Sequence, residues 1–194
     1  TNANLSGVDL SGKDLTGTIL KGADLTGANL SGVDLSGKDL TNANLSGVDL
    51  SDKDLTGTIL KGADLTDVVL PSDYSLSGND LQRTIFDGVD LSGKDLTGTI
   101  FEDTTLSGVD LSGKDLSGIN LTGINLNDID LVGKDLTGTI LIGADLSGKD
   151  LTGTILREAN LSNANLSGVD LFGKDLTRAK LTGADISGAV LTEA

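Results

Sequence analysis

The chain has 194 residues, a formal net charge of −15 at pH 7, and no His, Cys, Met or Trp. Those absences exclude a disulfide framework, a thiolate metal site and the imidazole that is the usual proton shuttle and commonest metal ligand. The acidic balance argues against nucleic acid as a direct ligand and against anionic membranes, and no apolar run is long enough to span a bilayer.

The repeats begin at once, since residues 1–5 already form a unit. An apolar residue then recurs every fifth position from Leu5 to Leu70 and, after one extra residue, from Leu76 to Leu191. Of these 38 centres only Phe86, Phe101 and Ile186 are not leucine. A fixed repeat is tested before any helix or strand is assigned. Helices place apolar residues at i, i+3, i+4 and i+7, and strands at every second position. A strict five fits neither and needs a backbone that turns once per repeat. All 27 glycines lie two places after a centre, so the unit reads Leu-[Ser/Thr]-Gly-x-[Asp/Asn]. That places glycine third in a turn, where a type II geometry demands positive φ. Length divided by a typical domain size is a poor guide for a repeat chain, so 1–194 reads as one domain.

This pattern resembles the pentapeptide-repeat family, whose unit is A-[D/N]-L-x-x. Ala23-Asp24-Leu25-Thr26-Gly27 and Ala43-Asn44-Leu45-Ser46-Gly47 match it as they stand. The resemblance covers essentially the whole chain. It implies an all-β fold, a right-handed quadrilateral parallel β-helix with four pentapeptides per coil and about 9–10 coils. The centre and the residue two before it would point inward. At about 4.8 Å per coil the resulting rod would be roughly 45 Å long.

In chain order, the one interruption is Leu70-Pro-Ser-Asp-Tyr-Ser-Leu76, where six residues replace five. Pro71 cannot donate a ladder hydrogen bond and belongs at a bulge or edge. A one-residue bulge at 71–75, carrying Pro71 and Tyr74, is expected; the functional alternative is a partner-binding loop. No signal peptide and no initiating Met are present. A cytoplasmic chain is the default expectation, with an excised segment of a larger or secreted protein as the alternative. Bare strand edges at both ends would be covered or paired, which suggests self-association through the ends.

With faces numbered one to four from Leu5, the residue before each centre forms columns. Face two carries Asp9, Asp49, Asp90, Asp110, Asp130, Asp150 and Asp170. Face three carries Asp14, Asp34, Asp54, Asp95, Asp115, Asp135 and Asp175. One reading is an acidic surface that imitates the phosphates of duplex DNA; the other is a family residue that keeps a leucine-rich rod soluble. Lys13, Lys53, Lys94, Lys114, Lys134 and Lys174 fall two places before the face-three centres, an inward phase. Their stems are expected to lie along apolar surface and their amines to emerge between the two acidic ladders. On face four, Ile19, Ile59, Ile100 and Ile140 recur every two coils as an apolar contact stripe for another copy or a partner, against the alternative of ordinary scattered surface residues.

No catalytic constellation is present. No Ser has a His partner, paired carboxylates on a convex polar surface have nothing to separate their pKa values, and every glycine is explained by the turn. The chain reads as a non-enzyme without a cofactor or a metal. The leading reading is a binding or scaffold solenoid for a protein partner. For a subset of the family the resemblance implies DNA mimicry, in the DNA-binding saddle of type II topoisomerases such as DNA gyrase. The rivals are a structural spacer or repeat segment of a larger protein and, from the Ser/Thr column after the face-three centres, an ice- or surface-binding rod.

Overall fold

Each pentapeptide has five backbone N–H groups to satisfy, and their partners define the architecture. Around Leu25, the Leu25 N–H donates to Asn44 O at 2.7 Å and the Gly27 N–H to Ser46 O at 3.2 Å, both one coil ahead. The Asn29 N–H donates to Val8 O one coil behind at 3.1 Å, and the Ala28 N–H closes the turn onto Leu25 O at 2.8 Å. The fifth donor, Thr26 N–H, goes to the Asp24 carboxylate at 3.0 Å. The unit around Leu161 repeats this. Its N–H donates to Lys180 O at 2.8 Å, those of Asn163 and Asn165 to Thr182 O and Ala144 O at 2.9 Å, and that of Ala164 to Leu161 O at 3.0 Å. The Ser162 N–H donates to Asn160 Oδ1 at 3.2 Å.

This computed structural model describes residues 2–193, with no helix among them. Contacts group the chain into two compact units. One comprises Thr1–Ser75, Asp80–Lys94 and Thr104–Asp110; the other comprises Leu76–Asn79, Asp95–Asp103 and Leu111–Ala194. Both are built alike. Single-residue parallel bridges join positions 20 apart, such as Asp24 with Asn44 and Asp39 with Ile59 in the first unit. Asn120 with Ile140, and Asn165 with Asp185, do the same in the second. Twenty residues therefore make one coil of four pentapeptides. Among the described residues strands do not lengthen beyond such bridges, because the chain turns every five residues.

The apolar centres fill the interior. Leu25, Leu45 and Leu65 in the first unit, and Leu136, Leu146 and Leu161 in the second, are fully shielded from solvent, as are the substitutes Phe86 and Phe101. The small residues two before a centre, Ala43, Val48, Ala144 and Ala164, are buried beside them. Each fully buried leucine contributes about 1.5–3 kcal/mol of burial free energy.

Most of the turns place a left-handed residue third, and the glycines there have φ between +61° and +73°. Asn42, Asp67, Arg83, Asp103, Glu158, Asn163 and Arg178 take the same conformation without being glycine. Asp52 and Asp128 hold the same position without a positive φ. At the interruption the pairing interval lengthens by one residue, so that Asp64 bridges Ile85. Later residues thus keep their faces. Pro71 is buried and Tyr74 half-buried, and the Tyr74 N–H donates to Pro71 O at 3.2 Å. The local chemistry is consistent: Val69 offers no side-chain acceptor, and Pro71, which follows Leu70, has no N–H that needs one.

Three members of the lysine column depart from expectation, while Lys13 is exposed and Lys114 and Lys174 are half-buried. Lys53, Lys94 and Lys134 are only 6%, 7% and 8% exposed, and their amines do not emerge between the ladders. The Lys94 amine donates to Pro71 O and the Lys134 amine to Leu111 O. The partly buried Lys38 amine reaches Leu15 O at 3.1 Å. The Lys53 amine meets a carboxylate, that of Asp52, at 2.7 Å. The reason lies in the threonines at the same position. Thr58 donates to Leu35 O at 3.0 Å and Thr154 to Leu131 O at 2.7 Å. A carbonyl one coil back, already turned inward to close its own turn, has a second lone pair for whatever donor arrives. Lysine satisfies it from within and has no need to reach solvent.

Candidate protein-binding surface

The aspartates before the centres owe their orientation to the fifth N–H of the unit. The Ser11 N–H donates to Asp9 at 3.0 Å, Thr16 to Asp14 at 2.8 Å, Ser36 to Asp34 at 2.8 Å, Ser51 to Asp49 at 2.9 Å and Thr56 to Asp54 at 2.8 Å. In the second unit Thr97 donates to Asp95, Ser117 to Asp115, Thr137 to Asp135 and Thr177 to Asp175, each at 2.9 Å. Asp90, Asp130, Asp150 and Asp170 accept likewise from Ser92, Val132, Thr152 and Phe172. These are Asx turns, in which a short carboxylate bonds its own backbone two residues on. One oxygen is committed to the turn, which fixes where the charge sits. All of these side chains, and Asp110, are exposed.

The same bonds hold the charge in place. Hydrogen bonds from Thr16 lower the Asp14 pKa, those from Ser36 lower Asp34, and those from Thr97 lower Asp95. Ser11, Ser51, Thr152 and Thr177 do this for Asp9, Asp49, Asp150 and Asp175. Asp54 is lowered by Thr56 against a smaller opposing push from Asp34, one coil away. Asp115 is lowered by Ser117 against a smaller push from Asp95. Bonding to the charged form outweighs the like charge next door.

Faces two and three differ from the others in charge sequence. In the first unit face three runs Asp14, Asp34, Asp54 without a break, and in the second Asp95, Asp115, Asp135. Face one alternates instead, Asn4, Asp24, Asn44, Asp64 and then Asn125, Asp145, Asn165, Asp185. There the neutral amide can bridge, as Asn165 Nδ2 does to Asp145 at 3.1 Å. The cations at outward positions of face three are Arg157, 3.9 Å from Asp175, and Arg178, 3.2 Å from Glu158. Hydroxyls of the Ser/Thr column turn onto these carboxylates, Ser36 to Asp34 at 2.7 Å and Thr97 to Asp95 at 2.6 Å. That commitment counts against a free hydroxyl array facing ice.

The face-four isoleucines divide by unit. Ile19 is 62% and Ile59 49% exposed in the first unit, whereas Ile100 and Ile140 in the second are half-buried. The acidic ladders and the isoleucine column therefore occupy different faces of the coil. Sequence reasoning located these columns but missed what orients the aspartates, although the Asp-x-[Ser/Thr] spacing in nearly every unit signals an Asx turn. Among the described residues no three carboxylates converge to hold a metal ion, and no helix is long and apolar enough to cross a membrane.

A turn every five residues, a 20-residue coil and Asx-capped centres define a pentapeptide-repeat solenoid. The pentapeptide-repeat family model matches in 8 copies over residues 1–37, 39–70, 75–113, 115–153, 135–173 and 159–194, and the chain belongs to that family. Among solved structures it is similar to HetL, a pentapeptide repeat protein involved in heterocyst differentiation regulation from the cyanobacterium Nostoc sp. strain PCC 7120. The identity is 28% over 100% of this chain and 86% of that one, with a TM-score of 0.29. It is also similar to QnrB1, a plasmid-mediated fluoroquinolone resistance protein, at 17% identity over 99% of this chain and 86% of that one, with a TM-score of 0.26. A pentapeptide repeat protein from the Arabidopsis thaliana thylakoid lumen matches at 21% identity over 68% of this chain and 66% of that one, with a TM-score of 0.13. No curated protein matches the chain.

Proposed function

We propose that this protein is a non-catalytic binding scaffold whose face-two and face-three aspartates imitate the phosphates of duplex DNA toward a basic groove, that of a type II topoisomerase such as DNA gyrase. We infer also that its coils wind right-handed and quadrilateral, as the family resemblance implies. The observation that carries the functional reading is the exposed carboxylates held by their own turns, three in successive coils on face three of each unit, Asp14, Asp34 and Asp54, and Asp95, Asp115 and Asp135. Their spacing of about one coil, ~4.8 Å, is fixed before a partner arrives, so little ordering cost attaches to binding. A surface of this kind competes with DNA for cationic side chains, and its effect weakens with salt as counterions compete.

A second reading has its own support. The same carboxylate oxygen satisfies a backbone N–H, which gives aspartate a structural reason to be there without any partner. The chain is then a spacer or repeat segment whose acidity keeps it soluble.

One experiment separates the two. Asparagine keeps the side-chain oxygen that accepts the turn N–H and removes the charge. Gyrase supercoiling is measured with the wild type titrated in at two salt concentrations, and again with Asp14, Asp34 and Asp54 changed to Asn. Salt-sensitive inhibition or protection that is lost in the variant, with melting unchanged, supports mimicry. No effect of the wild type at micromolar protein leaves the spacer reading.

A further inference from the structure

We infer that faces two and three carry a charge-gated seam: aspartate stacked on aspartate keeps neighbouring coils from pairing along their backbones, and neutralising or screening the carboxylates lets the ladder close. On face three Asp14, Asp34 and Asp54 stand 20 residues apart in the first unit, and Asp95, Asp115 and Asp135 in the second. On face two of the second unit Asp130, Asp150 and Asp170 do the same. No consecutive pair in these runs is bridged. Among the described residues every bridge includes at least one residue that is not aspartate. Two aspartates show both outcomes. Asp135 is unbridged toward Asp115 and bridged to Ile155 on its other side; Asp170 is unbridged toward Asp150 and bridged to Val190. A neutral neighbour permits a bridge without ensuring one, since Asn29 and Asp49 also stay unbridged.

The backbone shows what the stacked charges forfeit. On face one the N–H groups of Leu25 and Leu45 donate to Asn44 O and Asp64 O at 2.7 and 2.8 Å, and those of Asn44 and Asp64 to Ala23 O and Ala43 O at 2.9 Å. On face three the corresponding N–H groups of Leu15, Asp34, Leu35 and Asp54 make no ladder bond. The corners that flank this face stay closed, with the Gly12 N–H donating to Ser31 O at 2.8 Å and the Gly37 N–H to Thr56 O at 2.9 Å. The seam is therefore confined to the segment that carries the charges, and the coil repeat is kept. Inner lysines are not the cause. Lys38 O and Lys134 O accept from the Ile59 and Ile155 N–H at 3.0 Å, although the amines of these lysines bond Leu15 O and Leu111 O. Like charges directly opposite one another are destabilising, and each carboxylate is tied to its own turn, as Asp34 is to Ser36 and Asp54 to Thr56, both at 2.8 Å. It has little freedom to swing away from its neighbour. Asp34 and Asp54 are exposed, so water reaches their N–H groups and the opening is felt locally rather than in global stability.

The test is amide hydrogen exchange of the full chain, read residue by residue by NMR at about 0.01 M salt, where screening is weak. The N–H groups of Leu15, Asp34, Leu35 and Asp54 are expected to be about ten-fold less protected than those of Leu25, Asn44, Leu45 and Asp64. Asp34→Asn keeps the oxygen that accepts the Ser36 N–H and removes two like-charge pairs at once. It should raise protection at Leu15, Leu35 and Asp54 about ten-fold and leave face one unchanged. Salt at about 1 M should move the same amides of the wild type in the same direction. Ile155→Asp is the reverse change and should strip protection from the Leu136 and residue-155 N–H groups, whereas Ile155→Asn should not. Circular dichroism verifies that each variant keeps the fold. Equal protection on faces one and three of the wild type, no gain from Asp34→Asn, or equal opening by Ile155→Asn and Ile155→Asp would overturn the inference. No partner enters the measurement, so its outcome is independent of DNA mimicry.

Discussion

Asn42 leans its side-chain oxygen over the α-carbon of Gly62, one coil further on, so that a methyl group on Gly62 would fall inside contact distance of that oxygen. The relationship recurs: Asp67 covers Gly88, Asp103 covers Gly123 and Asn163 covers Gly183. An Asn or Asp that takes the left-handed turn position therefore requires glycine at the same position of the next coil, for space as well as for conformation.

Gly62 and Gly47 separate these two demands. Both have φ of +69°, but nothing lies within 4 Å of a methyl built on Gly47. Gly47→Ala should cost about 1–2 kcal/mol, the price of a left-handed alanine. Gly62→Ala should cost more, and Asn42→Gly should return it to the Gly47→Ala value. Urea denaturation of the three variants reads this directly. Equal costs for Gly47→Ala and Gly62→Ala would mean that the Asn42 side chain swings aside freely.

Lys134 offers a second comparison. It is buried and its amine donates to Leu111 O, while Thr154, in the same position one coil on, donates to Leu131 O at 2.7 Å. Lys134→Thr should therefore be at least as stable as the wild type, because a hydroxyl makes the same bond without a buried amine to desolvate. Lys134→Val, of nearly equal shape, should fall below Lys134→Thr by about 1 kcal/mol, the net worth of one hydrogen bond. Thermal melting of both variants tests the order, and a Val variant as stable as the Thr variant would refute it.

The coil was legible because period is a property of sequence alone. Leucines five apart and glycines two places after them fix where the chain turns, and the 20-residue bridge from Asp24 to Asn44 is the arithmetic result of four turns per circuit. The columns followed from the same arithmetic, including the extra residue before Leu76 that leaves later faces in phase. The lysine amines were not legible. Snorkelling to solvent and donating to a carbonyl of the preceding coil are both open to a long flexible stem, and the choice depends on a lone pair one coil away in space and 23 residues away in sequence. The difference between Ile19, well exposed, and Ile100, half-buried, was hidden for the same reason. Neighbouring coils set exposure, and the column pattern is identical at both places.

Acid should weaken the fold, and the sign follows from the Asx turns. Asp14, Asp24, Asp34, Asp95 and Asp185 all have pKa values below the ordinary 3.8 because Ser or Thr two residues on donates to the charged form. A depressed folded pKa contributes stability that is fully present above the unfolded value and is lost as pH falls through the folded one. Stability should thus be flat from neutrality down to about pH 5 and decline below about pH 4. Relief of repulsion between neighbouring carboxylates acts the other way, but the Asp34 push on Asp54 is smaller than the bonds from Thr56, so the loss prevails. Changing Asp14, Asp34, Asp54 and Asp95 to Asn keeps each turn acceptor and removes its titration. The variant should show a shallower decline below pH 4 with similar stability at pH 7, measured by urea midpoints across pH 2–7. A wild type that gains stability on acidification would show that like-charge repulsion, and not the turn bond, governs these columns.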